Sequence, residues 1–210
     1  MKSHGKLAAG LIASWFIVVL SASALHLFRN DPNRVGVAVA LAALAPVALF
    51  SVWFAASEKF QQFALSLNPR TLTAVQSWRI FGFLFLLLSA NAILPPVFAV
   101  PAAYGDIFMG VTAAFVAWKL ASPAHRTLFV LWQGLGMTDL LMAIVLGTTA
   151  RLLSPNSPSM SAMTELPLSL IPTFFVPLLL ILHVVCIAQA RQWQTQRHGR
   201  FEKHLAASQA

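Results

Sequence analysis

VGVAVALAALAPVALFSVWFAA, residues 35 to 56, runs for 22 residues without a charge and with one hydroxyl, at Ser51. At 1.5 Å per residue such a segment measures about 33 Å as a helix, enough to cross the roughly 30 Å hydrocarbon core of a bilayer. Five further stretches read the same way, at about residues 7–28, 74–94, 101–120, 127–152 and 166–189. They are continuous runs, without the residue-by-residue alternation of barrel strands. The pattern predicts an all-α integral membrane bundle of six transmembrane helices, filling residues 1–210 as one membrane domain.

Composition points the same way. Charged residues make up 10% of the chain and hydrophobic residues 58%, whereas a soluble domain carries about 25% charged residues. In water so much apolar surface would stay uncovered; lipid removes the difficulty. The net charge of +8 raises the question of nucleic acid, but the basic residues sit in loops and tails, and no nucleic-acid-binding motif accompanies them. Cys186 is the sole cysteine, which excludes an internal disulfide and a cysteine-cluster metal site.

Lys2 and Lys6 before an apolar run, with Ser21-Ala22-Ser23-Ala24 after it, imitate a signal peptide. The run continues through Leu25, Leu27 and Phe28, so an uncleaved first helix is expected. Eleven Lys and Arg fall on one side of the predicted spans, Arg79 among them, and only Arg29, Arg34 and Arg151 on the other. The basic side is expected to be cytoplasmic, with both termini there, in a bacterial inner membrane. Asp31-Pro32-Asn33-Arg34 reads as the first outer turn. Residues 57–73 read as a short interfacial helix, 154–164 as an irregular outer loop, either a plain flexible connector or a cover for an opening, and 191–203 as a basic tail, either a helical extension of span six at the inner surface or a disordered end.

Ionisable groups within hydrocarbon normally face the bundle interior or a water-filled cavity. Asp106 lies about five residues into span four, and Asp139 some 9 to 13 residues below the outer end of span five. Antiparallel neighbours at those depths can meet, and two carboxylates together can hold a proton, a cation or a cationic ligand. Tyr104, Asn91 and Gln133 are the polar neighbours expected at this ligand site. The architectural alternative has Asp106 bridging helices at Gly105 and Gly110, and Asp139 pairing with Gln133. Arg79 and His183 are expected nearer the inside, bordering an inner cavity, although Arg79 can equally snorkel to lipid phosphate.

No cofactor is predicted, with haem left open at one residue. Axial imidazoles must match in depth, and His26, near the outer end of span one, does not match His183; only His183, alone or with a non-histidine ligand, remains. Pro172 and Pro177 must each bend span six and free a carbonyl. Gly36, Ala38, Ala40, Ala42, Ala43 and Ala45 give span two a smooth face suited to contact with a second copy.

Gln76-Ser77-Trp78-Arg79-Ile80-Phe81-Gly82, Pro101 to Gly110, Trp132 to Asp139 and Ile171 to His183 resemble a group of small polytopic bacterial inner-membrane proteins of uncharacterised function. The resemblance covers about residues 65 to 190 and implies a multi-span helical bundle, with no activity carried over. No catalytic signature fixes a reaction. The leading expectation is a protein that binds or moves a small solute or ion through an intramembrane polar site. A membrane enzyme or redox subunit acting on a lipid-soluble substrate, and a non-catalytic membrane partner, are the alternatives.

Overall fold

The computed structural model describes residues 2–29 and 37–208, with side chains described over 5–29 and 37–193. The expected turn at Asp31 to Arg34, and Gly36 of the small-residue face, lie outside the described residues. So do the side chains of the tail beyond Trp193, whose backbone continues as helix to Ser208.

Helices account for the regular structure, and no strand occurs among the described residues. They are α1 (Lys2–Ala24), α2 (Val37–Ala56), α3 (Glu58–Leu65), α4 (Pro69–Val75), α5 (Phe83–Ala90), α6 (Pro96–Phe115), α7 (Arg126–Leu153) and α8 (Val176–Ser208). A 3-10 segment, Gln76–Gly82, joins α4 to α5, so Pro69–Ala90 forms one span. Six helices among the described residues are long and apolar enough to cross a membrane. Large apolar side chains cover the exterior: Leu49 and Val52 on α2, Phe115 at the end of α6 and Trp118 just after it, Leu131 and Val145 on α7. Only lipid makes such a surface favourable. The chain is a multi-pass α-helical membrane protein.

Local chemistry sets where the helices begin. Ser57 caps α3 by accepting from the Phe60 amide. Asn68 caps α4, its Oδ1 accepting from the Arg70 amide at 2.9 Å, with Pro69 at the first helical position, where proline's missing N–H costs nothing. This start lies five residues before the expected one at Ala74. At the other end Asn91 donates back to the Leu87 carbonyl at 2.8 Å, Ala92 turns through a positive φ of 55°, and Pro95-Pro96 open α6. The fourth span thus also starts five residues early, at Pro96 instead of Pro101.

Span six departs further from expectation. Its helix begins with a wide π turn at Ile171–Phe175 rather than at Leu166, and Leu166–Pro167 is a cis peptide. Pro172 has no N–H for the Leu168 carbonyl; the Ile171 amide reaches it instead, at 3.0 Å. Ser169 Oγ donates to Ser23 Oγ at 3.0 Å, and Trp15 and Phe16 pack on Phe174, which fastens α1 to this irregular segment. The first span itself ends at Ala24, with Leu25 to Phe28 in turns.

The interior sits among the last four spans and α2. The loop after α7 folds back over it, burying Met163 and Thr164. On α2, Ala43 is buried against the bundle while Ala38 and Ala45 are exposed. Part of the smooth face is therefore used within the chain. Arg29 and Glu165 pair at 3.1 Å across the end opposite the basic loops.

Candidate functional site

Three-residue spacing organises the centre of the third span. A 3-10 helix has three residues per turn, so every third side chain eclipses the last. Gln76, Arg79 and Gly82 accordingly share one buried face, pressed against α6. Two backbones meet closely there. A β-carbon at Gly110 would overlap the backbone of Arg79 and Ile80, and one at Gly105 would overlap the carboxylate of Asp139. Glycine is what lets α6 admit both neighbours.

Into this space Arg79 extends a side chain only 1% exposed. Its Nε donates to Asp106 Oδ1 at 2.7 Å, its Nη2 donates to Asp139 Oδ2, and its Nη1 donates to the Gly136 carbonyl at 3.4 Å. The two aspartates do meet at one place, with a guanidinium between them. Arg79 is not an inner-cavity residue and does not snorkel to phosphate. The reason lies in the helix starts: Pro69 puts Arg79 ten residues into its span, and Pro96 puts Asp106 ten residues into the next. Each sits about 15–20 Å deep, near the bilayer midplane. One guanidinium between two carboxylates leaves one negative charge in excess when all three are ionised.

A second polar group lies towards the basic end of the bundle. His183 Nδ1 contacts Gln133 Oε1 at 2.5 Å, Gln133 Nε2 donates to Thr73 Oγ1 at 3.1 Å, and Thr73 Oγ1 meets Cys186 Sγ at 3.8 Å. All four side chains are buried. A turn further along α8, Gln189 Nε2 donates to the Leu67 carbonyl at 2.7 Å, at the foot of the bundle. Gln76 Nε2 reaches the Leu179 carbonyl at 3.3 Å. Gln76 Oε1, His183 Nε2 and Gln189 Oε1 are buried without a protein partner. Such atoms normally find water or a ligand. Buried polar groups therefore descend from the midplane to the basic end.

The remaining expected members fall elsewhere. Tyr104 is 64% exposed on the outside of α6. It precedes Asp106 by two residues, about 200° around a helix, so a shared depth does not give it a shared face. Asn91 is exposed at the end of α5 and bonds its own helix. Gln133 joins His183 rather than Asp139. Thr73, Gln76 and Gln189 join the buried polar groups beyond the residues expected from sequence; Thr73, Gln76 and Arg79 recur every three residues. The His183 ring lies beside Gly136 and Trp132.

Over residues 32–191 the chain matches a family described as a domain of unknown function (DUF8737), and it belongs to that family. The expected resemblance to an uncharacterised group of polytopic proteins falls within that range. No curated protein and no solved structure matches the chain.

Proposed function

We propose that this family member binds, and exchanges a proton for, a small solute at the Asp106–Arg79–Asp139 triad, and moves the solute across a bacterial inner membrane. The reading rests on one observation: two carboxylates share a single buried arginine near the midplane. An uncompensated charge in hydrocarbon is costly. The excess negative charge is therefore neutralised by a proton when the site is empty and by a cation when it is filled.

Arg79 holds the two carboxylates in register and Asp106 and Asp139 carry the exchangeable charge. His183, Gln133 and Thr73, with the unpartnered His183 Nε2 and Gln76 Oε1, supply steps along which a proton passes to the basic end. The π turn and proline-broken start of span six are the element that can shift to change access; broken helices line substrate sites in other transporters. The basic end, with Arg70, Lys119, Arg126 and Arg191, faces the cytoplasm by the positive-inside rule, and both termini lie there.

Proteoliposomes carrying a trapped pH dye test this. Addition of cationic, neutral and anionic solutes in turn should produce a proton flux with cationic solutes, lost in Asp139→Asn and in Asp106→Asn. Flux that is unchanged in Asp106→Asn, Asp139→Asn, Arg79→Gln and His183→Gln would end the proposal. A second reading is favoured by Arg79, each of whose three nitrogens donates to a group of the protein: the triad pins helices and moves nothing. Absence of any solute-linked flux from a folded protein would support it.

A further inference from the structure

The contacts that fasten α1 to the bundle begin at Trp15: Trp15 and Phe16 pack on Phe174, and Ser23 bonds Ser169. Ahead of them Leu7, Leu11 and Ile12 are exposed. A crevice of about 180 Å³ lies between this first part of α1 and the elbow where α2 turns into α3. A water molecule takes about 30 Å³ in the liquid, and a methylene group about as much, so the space holds roughly six methylenes. Leu7, Ala8 and Leu11 form one wall, and Trp53, Phe60 and Phe63 the other. The second wall is built up from stacked rings. Trp53 and Phe60 lie 4.0 Å apart and almost parallel, with Phe50 edge-on to Phe60.

Position and charge select what fills the crevice. Span two ends at Ala56, so Ser57 and Lys59 stand where hydrocarbon gives way to headgroups, at the basic end of the bundle. Lys59 is the sole ionisable side chain among the described lining residues. It is exposed, and no carboxylate pairs with it among the described residues. The Ser57 hydroxyl accepts from the Phe60 amide at 3.4 Å and keeps its own hydrogen to donate. Lys6, next to Leu7, adds a second exposed cation. The rim thus offers donors and positive charge above an apolar interior. An ammonium group finds no acceptor carboxylate in the wall, whereas a phosphodiester finds Lys59 and Ser57.

We propose that the crevice holds one anionic phospholipid, with its phosphate at Lys59 and Ser57. The upper methylenes of one acyl chain lie between Leu7, Leu11 and the Trp53–Phe60 stack. The remainder of the chains lies along the outside of α1 and α2 in the bilayer. Trp53 then sits at the level that tryptophan favours in membranes. The site shares no residue with the Arg79 triad and stands independently of the proton-exchange reading.

Quenching of tryptophan by lipids with brominated chains tests the assignment on the full chain in phosphatidylcholine nanodiscs. Brominated phosphatidylglycerol should give a saturable quenching component that is absent in Trp53→Phe, which locates the lipid at this wall. A basic residue near an anionic headgroup favours it by about 1 kcal/mol, or about fivefold, so brominated phosphatidylglycerol should bind at least that much tighter than brominated phosphatidylcholine. Lys59→Gln should bring the two lipids within about twofold of each other, and Lys59→Arg should restore the preference. Ala8→Phe, which fills the crevice, should remove the saturable component for both lipids. Both positions are remote from the buried core, so these variants should melt near the native temperature. Excess glycerol phosphate should leave the quenching unchanged. Equal affinity for the two lipids, a saturable component that survives Trp53→Phe, or quenching indifferent to both Lys59→Gln and Ala8→Phe would overturn the assignment. Displacement of the lipid by glycerol phosphate would overturn it too, by giving the crevice to a soluble phosphate.

Discussion

Arg79→Gln should be the most damaging single substitution in the bundle. It removes the bonds to Asp106, Asp139 and Gly136 together and leaves two carboxylates facing each other. Removing one partner of a buried ion pair costs about 3–5 kcal/mol. For a chain of this size about 1 kcal/mol shifts the melting temperature by roughly 2–4 °C, so Arg79→Gln should melt about 6–20 °C lower in a fixed detergent. Charge balance then predicts a change of sign. Asp139→Asn in the native background loses a charge-assisted bond and costs about 1.5–3 kcal/mol at most, because Arg79 keeps Asp106. In the Arg79→Gln background the same substitution removes repulsion and should raise the melting temperature. Thermal unfolding of the four proteins gives the coupling directly. A native-like melt for Arg79→Gln, or an equal cost of Asp139→Asn in both backgrounds, would refute the reasoning.

Other perturbations follow from the same geometry. Gly110→Ala should push α6 off the 3-10 segment and cost about 1–3 kcal/mol, read as a lowered melting temperature. Gln133→Leu should cost about 1–3 kcal/mol, because both His183 Nδ1 and Thr73 lose a partner; no change in the melt would count against the buried polar group. Arg29→Ala should matter little, under about 1 kcal/mol, since the Arg29–Glu165 pair is half exposed. An impermeant maleimide should label Ser66→Cys from the cytoplasmic side and Ser157→Cys from the opposite side, with buried Cys186 silent in both; the reverse pattern would invert the proposed orientation.

The membrane class and the count of helices were legible because uncharged runs of 20 or more residues have few other uses. Depth was less legible. Asn68-Pro69 and Pro95-Pro96 are start signals in the sequence, yet hydropathy alone placed both starts five residues late. That error separated Arg79 from the aspartates, which it in fact bridges. Azimuth was not legible from depth: Tyr104 shares a level with Asp106, but two residues of helix turn it to the opposite side. The spacing by three of Thr73, Gln76 and Arg79 carried the polar face, but it becomes a single face only once the segment tightens to a 3-10 helix. The apolar cavity walled by Phe85, Phe98, Met160 and Met163 was beyond reach, since its walls come from six separate segments. Only the outer loop hinted at it, through the methionines that fold back over the opening.

Infrared difference spectroscopy of the full chain in lipid tests the central claim most directly, because a protonated carboxyl group absorbs apart from a carboxylate. With 13C-labelled aspartate, the account predicts a protonated aspartate band that exchanges with pH, shifts with the label, and disappears in Asp139→Asn or Asp106→Asn. A chain whose two buried aspartates stay ionised throughout, with no such band at any pH at which it remains folded, would contradict it.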